Sequence, residues 1–163
     1  MRRAFCLILA VCLLISGCSL SGERMREPVT FYYPRRVYQY GVEDGVIAAE
    51  QREASGHRKD LSYLLALYLI GPTDESLYAP LPRGVRFLKA DQQDDTVTLE
   101  LTDTTQSMTE AEFTLPCACL TMTCLSITDA ESVTILSGSR TVTMSRDNLT
   151  LYDNSTEATE ETK

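Results

Sequence analysis

Three cysteines lie close together in the second half of the chain, at Cys117, Cys119 and Cys124. A Cys-x-Cys-x4-Cys run could bind a metal ion, but no fourth cysteine accompanies it and the single histidine, His57, is distant in sequence. Disulfide pairing is also unfavourable, because the set is odd and cysteines at these separations on a helix have poor disulfide geometry. We therefore interpret the three thiols as buried packing residues and predict no metal site.

The histidine offers little support for catalysis. His57 lies in the polar segment Ser55–Lys59 before a predicted helix, where an exposed loop position is expected. The acidic pair Glu110 and Glu112 precedes a second predicted helix and suits the positive end of its dipole. The chain contains no Gly-x-Ser-x-Gly elbow, Walker loop, dinucleotide fingerprint or His-Glu-x-x-His pair. The sequence thus predicts a protein without catalytic residues or a cofactor.

Two further groups of residues could bind small ligands. Asp91, Asp94 and Asp95 cluster in a predicted turn and could hold a divalent cation weakly, but the spacing and glycine of an EF-hand are absent. We expect solvated carboxylates there. Four tyrosines near the N-terminal strands could line a site for a small ligand or glycan, and this is the alternative to an interaction module. Tyrosines on strands are more often core residues or cross-strand pairs. These tyrosines are Tyr32, Tyr33, Tyr38 and Tyr40.

A different kind of cysteine chemistry is predicted at Cys18. Two arginines, Arg2 and Arg3, precede an apolar run from Ala4 to Ile15, and Ser16-Gly17-Cys18 follows. The run has the length of a signal-peptide core and is too short to span a bilayer. This pattern resembles a lipoprotein signal peptide, in which the cysteine thiol receives a diacylglycerol and the preceding residues 1–17 are removed. The resemblance implies a lipid anchor on Cys18 and a location at the extracytoplasmic face of the cell membrane.

Charge and length restrict the remaining chain. Removal of residues 1–17 takes away two basic residues and no acidic one, so the formal net charge falls from −8 to −10. Such a surface repels phosphate backbones, and nucleic-acid binding is not expected. The remaining length suits one domain. We predict a polar tether at 18–27, the domain at 28–152, and a disordered acidic tail at 153–163 that lacks large apolar residues.

The first half of the domain has a strand pattern followed by a helix pattern. Val29–Tyr33 is β-branched and aromatic and predicts a strand that ends at Pro34. Val37–Tyr40 and Val46–Arg52 predict a hairpin across Gly41–Gly45. The next segment predicts a helix that begins after Asp60 and ends at Gly71-Pro72. Its apolar residues share one face and are expected to contact a sheet: Leu61, Leu64, Leu65, Tyr68 and Leu69.

The second half predicts two more hairpins separated by a helix. Val85–Ala90 and the alternating strand Val97–Leu101 flank a turn at Asp91–Asp95. The second helix is expected to begin after Thr114, with Pro116 in its first turn and Cys117, Leu120, Cys124 and Ile127 on one face. The final elements are a hairpin of Val133–Leu136 with Thr141–Met144 and an edge strand at Leu149–Leu151. This order favours an α+β fold, with two helices on one face of a mainly antiparallel sheet.

These elements together resemble the GerMN domain of sporulation and spore-germination lipoproteins. The resemblance covers about Val29 to Met144, and its core runs over about 61–144. It depends mainly on the Leu-x-x-Tyr-Leu-x-Gly-Pro stretch from Leu65 to Pro72 and the Leu-Pro-x-Gly turn from Leu81 to Gly84. It implies a non-catalytic interaction module, similar in shape to ring-building motifs, that acts in the cell envelope during sporulation or germination. An envelope or sporulation protein is the expected partner, with docking at a strand edge in Thr141–Met144 or Leu149–Leu151.

Overall fold

A computed structural model describes residues 27–37 and 45–149. The predicted signal peptide, lipid site Cys18, acidic tail, and two of the tyrosines, Tyr38 and Tyr40, lie outside these residues. No helix in the described part of the chain is long and apolar enough to cross a membrane. The described elements, in chain order, are β1 (Pro28–Pro34), β2 (Ile47–Glu53), α1 (Leu61–Leu69), β3 (Phe87–Gln93), β4 (Thr96–Leu101), a 3-10 helix (Asp103–Ser107), α2 (Glu110–Ile127), β5 (Ser132–Ser137), β6 (Arg140–Ser145) and a second 3-10 helix (Asp147–Leu149).

The strands form two sheets. Strands β1 and β2 pair antiparallel as a two-stranded sheet, and the other four form a sheet in the order β3-β4-β5-β6. Within the larger sheet β3–β4 and β5–β6 are antiparallel hairpins, whereas the central pair β4–β5 is parallel. A parallel pair requires a crossover, and residues 102–131, which contain α2, supply it. The predicted α+β class with a mainly antiparallel sheet and two helices is confirmed.

One face of the four-stranded sheet forms the core. Val97 and Leu99 on β4 lie beside Val133 and Ile135 on β5, and all four side chains are fully buried. Helix α1 packs against β3, and α2 packs against β1, β5 and β6, so apolar residues of both helices belong to the same cluster. The opposite face carries mostly hydroxyl and charged side chains, as the alternation in β4 predicted.

Helix α1 confirms the prediction from its periodicity. The Asp60 carboxylate accepts a hydrogen bond from the Tyr63 N–H at 3.0 Å and so caps the first turn. At the other end Gly71 has φ +94°, a conformation that glycine adopts without steric cost, and its N–H donates to the Tyr68 carbonyl. Leu64, Leu65 and Tyr68 are buried, as the helical spacing predicted.

Helix α2 begins earlier than predicted. Its N-cap is Thr109, not Thr114, and a reciprocal capping box joins Thr109 to Glu112. The Glu112 carboxylate accepts from the Thr109 N–H at 2.7 Å, so the first turn is satisfied five residues before the expected start. Pro116 consequently lies inside the helix instead of in its first turn. The predicted apolar face is confirmed at Cys117, Leu120 and Cys124, which are fully buried, and Ile127 is partly buried against the core.

Two predicted strand boundaries are wrong, and one predicted hairpin lies partly outside the described residues. Strand β1 pairs with β2, with Tyr32 opposite Ala49, and Val37, the first residue of the predicted strand Val37–Tyr40, is 81% exposed; residues 38–40 lie outside the described part of the chain. The β3–β4 turn contracts to Asp94-Asp95, because the preceding residues Asp91–Gln93 pair with β4. Leu149 ends a 3-10 helix and is not in an edge strand, and the following residues are not described.

Candidate interaction surface

Strand β6 is an outer strand of the four-stranded sheet, and its outward backbone groups have no partner among the described residues. A two-residue turn, Gly138-Ser139, joins it to β5, and Ser137 faces Arg140 at the closing pair. In such a hairpin the closing pair is hydrogen-bonded, so Val142 bonds to β5 while Thr141 and Thr143 direct their N–H and C=O groups outward. Within residues 27–37 and 45–149, no group outside the β5–β6 pair bonds to the backbone of Thr141 or Thr143. This edge can accept an added strand.

Arg140 fixes the start of β6 to the body of the domain. Its Nη1 donates to the Thr105 carbonyl at 3.2 Å, and a second guanidinium nitrogen donates to the Met108 carbonyl. Its Nε lies 3.4 Å from a carboxylate oxygen of Glu110, and the guanidinium carbon lies 5.5 Å from the centre of the Phe113 ring. The edge strand is therefore anchored at its first residue by several contacts.

The β5–β6 turn is held just as closely. The buried hydroxyls of Ser137 and Thr105 are 2.5 Å apart, and the Ser137 hydroxyl also donates to the Thr102 carbonyl at 3.0 Å. At Gly138 an added Cβ would lie 2.0 Å from Nε2 of Gln106, so a side chain there would displace Gln106. The first 3-10 helix, Asp103–Ser107, therefore supports the turn. A rigid hairpin thus presents the edge of β6.

The exposed edge of β6 differs from that of β1, which is covered by helix α2. The Tyr32 N–H donates to the Thr123 hydroxyl at 3.0 Å, and the Ser126 hydroxyl donates to the Thr30 carbonyl at 2.6 Å. The Tyr68 hydroxyl donates to the Tyr32 carbonyl at 3.2 Å. Three outward backbone groups of β1 are therefore satisfied within the fold, and this edge cannot bind a partner strand.

The two described tyrosines of the predicted set, Tyr32 and Tyr33, do not assemble an aromatic ligand site. Tyr33 is fully buried, stacks on Tyr68 with ring centroids 4.7 Å apart, and donates its hydroxyl to the Tyr68 carbonyl at 3.0 Å. Phe31 contacts both rings edge-on. Burial raises the pKa of Tyr33 far above its ordinary value. Tyr32 points to the opposite side of β1, so the described tyrosines are separated by the strand.

The cysteines are confirmed as packing residues. Cys117, Cys119 and Cys124 are free thiols with no exposed surface. Burial raises the pKa of each thiol to about 12, so none is a reactive thiolate at neutral pH. In the described part of the chain, no three or more His, Cys, Asp or Glu side chains are arranged to hold a metal ion.

His57 occupies the exposed loop before α1, as predicted. Its ring stacks on Tyr63 with centroids 4.2 Å apart, and Nδ1 lies 4.0 Å from a carboxylate oxygen of Asp60. The side chain is 52% exposed. Because its neighbours are the N-cap and a helix residue, the contacts of His57 serve the start of α1.

The acidic residues serve turns and helix starts. Asp91 lies in β3, 3.8 Å from Lys89, whereas Asp94 takes a positive φ of 51° in the turn. Glu110 and Glu112 lie in the first turn of α2 and do not precede it, which corrects their predicted position. Hydrogen bonds from the Thr109 backbone and hydroxyl lower the pKa of Glu112. Asp91, Glu110 and Glu112 therefore have local structural partners.

Glu50 is a structural residue that the sequence did not single out. Its carboxylate accepts from the N–H groups of Thr73 and Asp74 at 3.0 and 3.2 Å and from the Thr73 hydroxyl at 2.9 Å. Burial alone would raise the pKa of Glu50, but these hydrogen bonds and the nearby Arg52 guanidinium hold it below its ordinary value. Arg52 also donates to the Gly71 carbonyl at 3.1 Å. Strand β2 thereby fixes the loop after α1.

The fold is similar to known sporulation proteins. A family model described as Germane, sporulation and spore germination, matches residues 30–143. None of the curated proteins compared with the chain matches it. Among solved structures, the tandem GerMN domains of the sporulation protein GerM from Bacillus subtilis are 16% identical, with a TM-score of 0.50 over 69% of this chain. The match spans 39% of that GerM chain, and at this identity it establishes the fold.

A second solved structure, of a Clostridium perfringens protein described as a lipoprotein, is also 16% identical. Its TM-score is 0.48, and the match covers 74% of this chain and 88% of that one.

Proposed function

Because this chain belongs to the Germane family of sporulation and spore germination, we propose that it is a non-catalytic interaction module held in the cell envelope by a lipid on Cys18. The family supports a role in sporulation or germination. The lipoprotein-like signal sequence that ends at Ser16-Gly17-Cys18 supports an extracytoplasmic location at the cell membrane, since a diacylated cysteine supplies the two chains that stable anchoring needs. A net negative surface adds no attraction to anionic lipids.

The observation that carries the docking role is the edge of β6, whose outward backbone groups have no bonding partner within residues 27–37 and 45–149. A partner strand beside β6 would find four outward backbone groups, the N–H and C=O of Thr141 and Thr143. The strand is anchored at Arg140 and its turn is fixed by Ser137 and Gly138. The strand therefore loses little conformational entropy when a partner binds. We therefore expect the partner to be an envelope or sporulation protein that contributes an extended segment.

A proline on the edge tests this role while leaving the sheet paired. Thr143→Pro removes an N–H that points outward, so the β5–β6 ladder should persist while an added strand loses its donor. A photo-crosslinking residue at Thr141 should capture an envelope protein in membranes from sporulating cells, and Thr143→Pro should abolish that adduct. Thr98, on the open face of the interior strand β4, is the control position. Equal capture at Thr98, or capture that survives Thr143→Pro, would overturn docking at β6.

The anchor has a separate test. Cys18→Ala should release the protein from membranes into the soluble fraction, as measured by sedimentation and immunoblotting. Without the lipid, the net negative surface supplies no attraction to anionic lipids. Ser19→Ala is the matched control and should remain with the membranes. A Cys18→Ala protein that still sediments with membranes after signal cleavage would exclude the lipid as the anchor.

A further inference from the structure

A groove lies between the start of α1, strand β3 and the end of α2. Its volume is about 610 Å³, and small-molecule sites usually occupy about 300–1,000 Å³. The groove is lined from these three places and by no residue of β6. A ligand bound there would therefore use a different part of the domain from the proposed docking edge.

The apolar part of the lining belongs to the hydrophobic core. Leu64 of α1 is buried, and Leu61, Ala90 and Ile127 are partly buried against the same core. Because these side chains come from three different elements, the packing of the core holds them in place. They can cover an apolar part of a ligand, but polar groups are needed to orient it.

Two charged side chains of opposite sign line the same groove. Lys59 precedes α1, and Asp129 follows α2. Within residues 27–37 and 45–149 the side chain of neither residue has an ion pair or hydrogen bond, and the two are not paired with each other. The other charged residues of the lining, Arg58 and Asp91, already have partners at 3.4 and 3.8 Å. Lys59 and Asp129 are therefore the charges available to a ligand.

The two helix ends reinforce this arrangement. Lys59 lies beside the N-terminus of α1, where the helix dipole is positive, and Asp129 lies beside the C-terminus of α2, where the dipole is negative. One part of the groove therefore favours an anion, and another favours a cation. A ligand with a single charge would satisfy only one of them.

We propose that this groove binds a short peptide with free termini, whose carboxylate contacts Lys59 and whose ammonium group contacts Asp129. The side chains of such a peptide would lie over Leu61 and Ile127. A free amino acid suits the groove less well, because it carries both charges on one carbon atom whereas Lys59 and Asp129 are too far apart to pair.

Titration of the full-length protein with the dipeptide alanyl-leucine tests the site. In two-dimensional amide NMR spectra the peptide should move the signals of Leu61, Ala90 and Ile127. The N-acetylated peptide keeps only the carboxylate and the C-terminal amide keeps only the ammonium group, so each should bind about fivefold more weakly. Equal binding of the three peptides, or no movement of these signals, would overturn the proposal.

Substitutions show which residue contacts which terminus. Lys59→Gln should weaken alanyl-leucine about fivefold but leave the affinity for its C-terminal amide unchanged, and Asp129→Asn should do the same for the N-acetylated form. Arg83→Gln and Asp95→Asn remove the same charges from exposed positions outside the groove and should leave all affinities unchanged. If Lys59→Gln or Asp129→Asn weakens all three peptides equally, the two residues do not bind the termini and the proposal is wrong.

Discussion

Strands β1 and β6 are both outer strands, but their outer edges differ in their hydrogen bonding. On β1 the outward groups of Thr30 and Tyr32 bond to hydroxyls of Ser126, Thr123 and Tyr68. On β6 the equivalent groups of Thr141 and Thr143 have no such partner in the described part of the chain. The same backbone chemistry is used for stability at one edge and is left available at the other. An unpaired edge on a stable protein is a feature that calls for a function.

The largest expected effect is a proline on the inner side of β6. Val142→Pro removes an N–H that bonds to β5 and should lower the free energy of unfolding by about 3 kcal/mol or more. Thr143→Pro, one residue away, should cost less than about 1 kcal/mol, because its N–H points outward. Urea denaturation followed by circular dichroism measures both. Equal losses would mean that the edge of β6 is not free.

The covered edge should respond to the loss of a single hydroxyl. Thr123→Val keeps the shape of a fully buried side chain but leaves the Tyr32 N–H without its acceptor, which should cost about 2 kcal/mol. The control Thr143→Val on β6 should change stability by less than about 0.5 kcal/mol. If urea denaturation shows the same loss of unfolding free energy for both substitutions, the hydrogen bonds at the edge of β1 do not distinguish it from the edge of β6.

The Glu50 contacts should make one side of the β1–β2 sheet sensitive to pH. Since the folded pKa of Glu50 is lowered, its contribution is fully present above the ordinary carboxyl value of 4.5 and is lost as the pH falls through the folded pKa. Glu50→Gln should cost about 1 kcal/mol at neutral pH, and this difference from the wild type should shrink as the pH falls below the ordinary carboxyl value of 4.5. The exposed Glu53 provides the control Glu53→Gln. A difference that does not change with pH would contradict this role.

The smallest effect is expected at His57, whose ring contacts only the start of α1, at Tyr63 and Asp60, among the described residues. His57→Ala removes an exposed ring that contacts Tyr63 and Asp60, and stability should change by less than about 0.5 kcal/mol. Capture of a partner by a crosslinker at Thr141 should be unaffected. Loss of that capture with normal folding would show that His57 takes part in function.

Local patterns predicted most of the elements but not their partners. The helical spacing from Leu61 to Leu69 and the alternation of Val97, Leu99 and Leu101 depend only on short-range periodicity, and both predictions are confirmed. Pro116 favours a helix that begins after Thr114, because proline is tolerated in the first turn of a helix. The Thr-x-x-Glu pattern at Thr109 and Glu112 is the local signal of the observed start.

Features that depend on residues distant in sequence could not be predicted from local patterns. The pairing of β1 with β2 crosses a long connection, and a plausible strand at Val37–Tyr40 competes for the same partner. The role of Glu50 depends on two N–H groups in a loop more than twenty residues away. For the interaction surface, the sequence indicated the segment Thr141–Met144, but only the sheet order places it at an edge.

The parallel pair at the centre of the four-stranded sheet has a consequence for how the protein folds. The β3–β4 and β5–β6 hairpins are each closed by a two-residue turn and can form from neighbouring segments of the chain. The β4–β5 pair must wait until residues 102–131 have been ordered, since a loop of that length has to close first. Joining the two hairpins should therefore be the slow step of folding, and until it occurs the interior strands are themselves unprotected edges.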